Sequence, residues 1–270
     1  MTLRLVSPLC LALAVASPLA AAGPEPVAQE PVVMPAQPDR AFIFSLRGGI
    51  AAVPEYFGSD TLALGPDVGF SFHYLSLGNG RSFGDPDPWA DSTGLSFGGS
   101  LRYIAPRSED DYSELAGLDD IDAALELGVS VSYATRNFET FGALRRGFGG
   151  HEGWVAELGA DVIARPTDRL RLTAGPRLLW GDDSYTGTYF GVTGTEASAA
   201  LPAYDPDGGL VSAGIELGAR YQINEDWGLE GAITWDTFVG DAQDSPIVRQ
   251  GATDQWGVRL GVTRVFRIGG

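Results

Sequence analysis

The chain has 270 residues, of which 44% are hydrophobic and 20% charged, with a mean hydropathy close to zero. These values exclude a disordered chain, which carries fewer apolar residues, and a helical membrane protein, which carries many more. All 18 basic residues are Arg, and against 35 acids they give a net charge of −17, which leaves no electrostatic footprint for nucleic acid. With 37 Gly and a single Cys, the composition points to many short strands and turns rather than to a cytosolic α/β enzyme.

Residues 1–22 read as a signal peptide for export. Arg4 supplies the positive start, Leu9 to Ala16 the apolar stretch and Ala20-Ala21-Ala22 a small-residue cleavage site. Ser17-Pro18 breaks the apolar stretch before it is long enough to span a bilayer. Leu9 stands where a lipidation motif at Cys10 needs Gly or Ala, so lipidation is rejected. Cleavage removes Arg4 and Cys10, leaving a mature charge of −18 and no disulfide to stabilise the exported chain. Residues 23–40 are Pro-rich and acidic without periodicity, and read as an extended periplasmic tether.

From residue 41 to the end the chain reads as one domain with period two. Over 226–239, Trp227, Leu229, Gly231, Ile233, Trp235, Thr237 and Val239 share one face. Gly228, Glu230, Ala232, Thr234 and Asp236 share the other, which is the signature of a strand with one apolar and one polar side. The same alternation predicts strands over 153–165, 169–180 and 211–223, the last with Val211, Ala213, Ile215 and Leu217 on the apolar face. Residues 42–52, 66–75, 94–104, 121–133 and 255–266 follow with less contrast, and 138–148 is weakest.

Such strands suit either a soluble sandwich with an apolar core or a membrane barrel with an apolar coat. Strands near ~10 residues match a tilted membrane crossing. Trp227 and Trp235 stand ~26 Å apart at ~3.3 Å per residue, close to the ~25 Å height of an outer-membrane apolar band. Together with the export signal and the absence of cysteine, these features favour an antiparallel transmembrane β-barrel. Trp154, Trp180, Trp227, Trp235 and Trp256 are the expected girdle aromatics, in contact with outer-membrane lipid. Short turns at 135–137, 166–168 and 224–226 alternate with long connections at 54–61, 105–120, 181–208 and 240–253. An even strand count with short periplasmic turns gives ten strands and both termini in the periplasm. Twelve follow if Arg81–Pro86 and Tyr185–Val192 each add a short strand.

Five stretches carry a resemblance. They are Val53-Pro54-Glu55-Tyr56-Phe57-Gly58-Ser59-Asp60, Gly117-Leu118-Asp119-Asp120-Ile121-Asp122 and Gly149-Gly150-His151-Glu152-Gly153. Tyr189-Phe190-Gly191-Val192-Thr193, with Leu201-Pro202-Ala203-Tyr204 and Gly208-Gly209, is the fourth. The fifth is the loop from Gly240 to Val248, with Gly240, Asp241, Asp244, Ser245 and Pro246 as its motif residues. In this order, across 41–266, they resemble the MipA/OmpV (MltA-interacting protein) family of outer-membrane proteins. The resemblance implies a scaffold linking a murein lytic transglycosylase to a bifunctional penicillin-binding protein, or in other members a surface adhesin. One departure is the tail: Phe266 is followed by Arg267-Ile268-Gly269-Gly270, where many outer-membrane barrels end on an aromatic residue.

The residues themselves offer little chemistry. Gly94-Leu95-Ser96-Phe97-Gly98 matches the G-x-S-x-G elbow, but it lies inside an alternating strand that points Ser96 into the lumen beside Arg102. His73 and His151 are the only histidines, too few for a catalytic zinc, and His151 is expected as a surface turn residue. Asp182-Asp183 and Asp205 to Gly209 read as turn formers before they read as calcium ligands. The expectation is therefore a non-enzyme without cofactor or metal. A narrow porin-like channel is the alternative, with a lumen narrowed by Arg–carboxylate pairs.

Overall fold

The computed structural model describes residues 13–15, 17–18, 40–78, 80–90 and 93–269. Ten long strands carry the fold: β1 Ala41–Pro54, β2 Leu62–Ser76, β4 Gly94–Ile104, β5 Ala124–Ala134, β6 Phe138–Gly149, β7 Trp154–Thr167, β8 Leu170–Gly181, β9 Gly209–Gln222, β10 Trp227–Phe238 and β11 Asp254–Ile268. A short strand, β3 Ser82–Gly84, turns back on β2. Neighbours pair antiparallel in the order β2-β1-β11-β10-β9-β8-β7-β6-β5-β4, so the chain meanders around a curled sheet and β11 closes onto β1. Among the described residues no ladder joins β2 to β4. In that seam Leu13–Val15 run parallel to Phe70–Phe72, and Ser17–Pro18 antiparallel to Ser96–Phe97. The rest of the expected signal peptide and tether lies outside the described residues.

The sheet is apolar on its outside. Ile50, Val129, Leu158, Val162, Leu217 and Leu260 are all exposed, Val129 to 66%. Arg47, Asp67, Glu126, Arg145, Asp161, Arg177, Glu216 and Glu230 hold the opposite positions along the same strands and meet one another inside. Because side chains alternate at every residue, this inversion fixes the register of each strand, since a one-residue slip would move the charges into lipid.

Two differences from the expected elements have physical causes. Of the two extra strands, Arg81–Pro86 supplies β3, whereas Tyr185–Val192 falls in the helix α1, Asp183–Phe190, and the turn after it. The Asp182 side chain caps that helix by accepting from the Tyr185 N–H at 3.0 Å, and the helix buries Tyr185, Tyr189 and Phe190. Val211, expected on the outer face, is buried. Leu179 pairs with Ser212 but Trp180 with Leu210, so Val211 is the extra residue of a bulge and turns inward.

Arg40 before β1, the residue after β11 and the short turns 135–137, 168–169 and 223–226 lie at one end of the barrel, the turn end. The connections 55–61, 105–123, 182–208 and 239–253 lie at the other, the loop end, and include α1 and the two short helices α2 Gly240–Asp244 and α3 Pro246–Gln250.

Candidate functional site: a capped mouth over a charged lumen

The lumen wall carries linked ion pairs. Arg145 donates from Nε to Glu126 at 2.8 Å and from Nη2 to Glu157 at 2.8 Å, joining β5, β6 and β7. Arg177 bridges Asp161 at 3.0 Å and Glu216 at 3.2 Å, and Arg259 reaches past β10 to the same Glu216 at 2.9 Å. Arg47 joins Asp67 at 3.0 Å to Glu230 at 3.3 Å. Glu126 is 0% exposed, and a carboxylate buried that deeply persists only with its cationic partners in place.

Above this belt the loops form a cap with an apolar interior. One cluster gathers Ile121, Val155, Tyr185, Tyr189, Phe190, Val211, Phe238 and Val248, with Phe57 packed against it. A second joins Tyr56, Tyr112, Leu115, Leu118, Val192, Leu201 and Ile247. Phe57 is the hub of the rings, 5.0 Å from Tyr189 and 6.0 Å from Phe190. All five stretches that carry the family resemblance meet here, although they are far apart in sequence.

The motif loop locks this cap. Gly240 starts α2 with φ +56°, a backbone region that costs glycine nothing. Asp241 accepts from the Asp207 N–H at 2.9 Å, and its carbonyl accepts from the Tyr204 hydroxyl at 2.9 Å. Asp244 pairs with Arg249 on the exposed side. Ser245 is fully buried, donates to the Phe190 carbonyl at 2.7 Å and caps α3 by accepting from the Ile247 N–H at 3.2 Å. Pro246 opens α3, where its missing N–H is no loss.

His151 corrects the reading of a surface turn residue. It is 3% exposed, its ring lies edge-on to Tyr185 and Tyr189, and its Nε2 is 3.4 Å from Glu126 Oε1. A Cβ on Gly147 would stand 2.2 Å from that ring, so Gly147 is the space His151 occupies. Burial pushes the Tyr185 and Tyr189 hydroxyls well above the usual tyrosine range, which keeps both rings neutral in the cap.

The other expected residues find plain roles. Ser96 is buried in the wall opposite Ser132, and His73 hydrogen-bonds Ser45 at 2.9 Å rather than any serine of that motif. Asp182 caps α1 and also accepts from the Trp154 N–H, while Asp183 accepts from the Gly208 N–H. Among the described residues no group of three His, Cys, Asp or Glu is placed to hold a metal. Of the five expected girdle tryptophans, Trp154, Trp180, Trp235 and Trp256 stand near the loop end, with Trp235 directly opposite Trp256, and Trp227 stands at the turn end. There Arg264 lies over Trp227 and Phe266, and Phe42, Phe44, Phe70 and Phe72 complete an aromatic belt that the tryptophan pattern missed. Its signal was the run of phenylalanines at even spacing in β1 and β2.

At the turn end Trp89 links separate parts of the wall. Trp89 packs against Ala41, Ile43, Tyr74 and Val265 and donates from its indole to the Glu225 carbonyl at 2.8 Å.

A curled antiparallel sheet with an apolar coat, an ionic inner face and an apolar cap built from its own loops defines an outer-membrane β-barrel protein. The chain belongs to the family described as MltA-interacting protein MipA, whose profile matches residues 46–266. No curated protein sequence matches it. Among solved structures it is similar to the outer membrane protein OprG from Pseudomonas aeruginosa, at 13% identity over 84% of this chain and 97% of that one, with a TM-score of 0.28. It is also similar to a loop-deletion mutant of OmpT from Vibrio cholerae, at 10% identity over 83% and 98%, with a TM-score of 0.34. A bacterial polysaccharide outer membrane secretin gives 8% identity over 83% and 98%, with a TM-score of 0.37. At such scores these alignments add nothing to the description of the sheet.

Proposed function

We propose that the protein is a non-enzymatic scaffold of a Gram-negative outer membrane, exported through a cleaved signal peptide. Its turn end and both termini face the periplasm, and its loop end faces outward. One observation carries the reading: the interior is committed to structure, with the mouth filled by buried rings and the wall charges tied in pairs, so what remains for partners is the rigid surface at each end. The family description points to murein enzymes as the partners, and a periplasmic face braced by Trp89 is the surface offered to a lytic transglycosylase and a bifunctional penicillin-binding protein. The short turns 135–137, 168–169 and 223–226 and the long loops 105–123, 182–208 and 239–253 support this orientation, with 150–153 and 77–93 as the two exceptions, because outer-membrane barrels keep their short turns in the periplasm. The five tryptophans serve as girdle anchors in lipid.

Cross-linking in intact envelopes, followed by capture of the detergent-solubilised barrel, tests the scaffold. Recovery of both murein enzymes is the expected result, and recovery of neither removes the role while leaving the barrel. Planar-bilayer recording separates the channel alternative: a silent protein is expected, and unitary steps at moderate voltage favour a pore.

A further inference from the structure

A cavity of about 640 Å³ opens among the loops of the loop end, within the size range of small-molecule pockets. One wall is Arg107, only 8% exposed. Its backbone pairs with Ile121, and its side chain's sole hydrogen bond among the described residues runs from Nη1 to the Tyr189 carbonyl at 3.4 Å, with no carboxylate within ion-pair distance. A guanidinium has five N–H donors in a planar fork, so most of this group's capacity is unspent. Burial lowers its pKa, the expected consequence of a cation removed from water without a partner at contact.

Two carboxylates at the solvent-exposed rim, Asp119 and Asp205, line the same cavity, and no hydrogen bond or ion pair engages either side chain among the described residues. Glu196 also lines it but is already engaged by the Asp119 N–H at 2.7 Å and the Thr193 N–H at 2.8 Å. Ile121, Val192 and the Tyr204 ring form the apolar wall, and the Tyr204 hydroxyl is held by the Asp241 carbonyl.

We propose that this cavity binds a small zwitterion, a free amino acid or short peptide. Its carboxylate pairs with Arg107 and its ammonium with Asp119 and Asp205. The charge pattern selects that class. A plain anion would enter beside three carboxylates, and a plain cation beside a buried guanidinium, whereas a molecule bearing both charges satisfies each group. The site is independent of the scaffold role and of any murein partner.

The test is calorimetric titration of the purified full-length barrel in detergent at low salt, with Ala-Ala, N-acetyl-Ala-Ala and Ala-Ala amide as probes. Saturable binding of Ala-Ala, weakened at least tenfold by blocking either end, is expected. The Asp205→Asn and Arg107→Gln variants should each lose at least tenfold, with the heat-modifiable gel shift of the barrel retained. Equal binding of the acetylated probe, or no saturable heat with Ala-Ala, overturns the proposal. If Arg107→Gln disturbs folding, Asp205→Asn and the two blocked probes still decide it, because none of them alters a contact within the fold.

Discussion

The wall and the cap solve opposite solvent problems with one chain. In the wall Val129 and Leu217 face outward and Glu126 lies buried, whereas a few residues beyond the strand ends Ile247 and Phe190 are buried and Asp244 and Arg249 are exposed. The change of frame occurs at the edge of the lipid, where water becomes the solvent outside the barrel. The wall accordingly depends on keeping its inner charges paired, and the cap on apolar burial.

Breaking that contrast on the wall side gives the largest effect. Arg145→Met leaves the buried Glu126 with only Arg102 at 4.0 Å and His151 at 3.4 Å and takes the cation from Glu157, and loss of one partner of a buried pair costs roughly 3–5 kcal/mol, read as a lowered midpoint of the heat-modifiable transition. In the cap the equivalent change is apolar. Ile247→Ala should cost about 2–5 kcal/mol but locally, so proteolytic nicking of 239–253 rises while the barrel transition stays in place. Val129→Arg moves a charge onto the outer face and should destabilise by about 2–4 kcal/mol in bilayers, and by less in a detergent with a thin micelle.

A smaller loss is expected from Ser245→Ala, about 1–2 kcal/mol, since it removes the α3 cap and leaves the buried Phe190 carbonyl without its donor. The smallest effect is acidic. Burial alone would raise the Glu196 carboxyl, but the Thr193 hydroxyl, the Asp119 and Thr193 amides and Arg107 outweigh it and hold the pKa below the ordinary value. A depressed carboxylate contributes stability above its unfolded pKa and loses it as pH falls through the folded one. Protection of the Asp119 and Thr193 amides, taken relative to their intrinsic exchange rates, should therefore be lost as pH falls below the ordinary carboxylate range, with the barrel strands unaffected.

The wall was legible residue by residue. The predicted stretch 94–104 coincides with β4, and the predictions for β8 and β10 fall within a residue or two of Leu170–Gly181 and Trp227–Phe238. Period two is a local property, written by each strand whatever its neighbours do. Val211 escaped it because a bulge depends on the partner strand's register, and the helix α1 escaped it because Tyr185 and Tyr189 are buried only once loops from distant parts of the chain enclose them.

By itself, then, the amino-acid order determined the strands, the face each one turns to lipid, and the family, since alternation and motif spelling are both properties of short stretches. Tertiary structure alone decided that His151 is buried against Glu126, that Gly147 is the room it needs, and that Arg107 faces a cavity beside two unpaired carboxylates. Those facts arise from residues dozens of positions apart brought within a few ångströms, and no local pattern encodes such proximity.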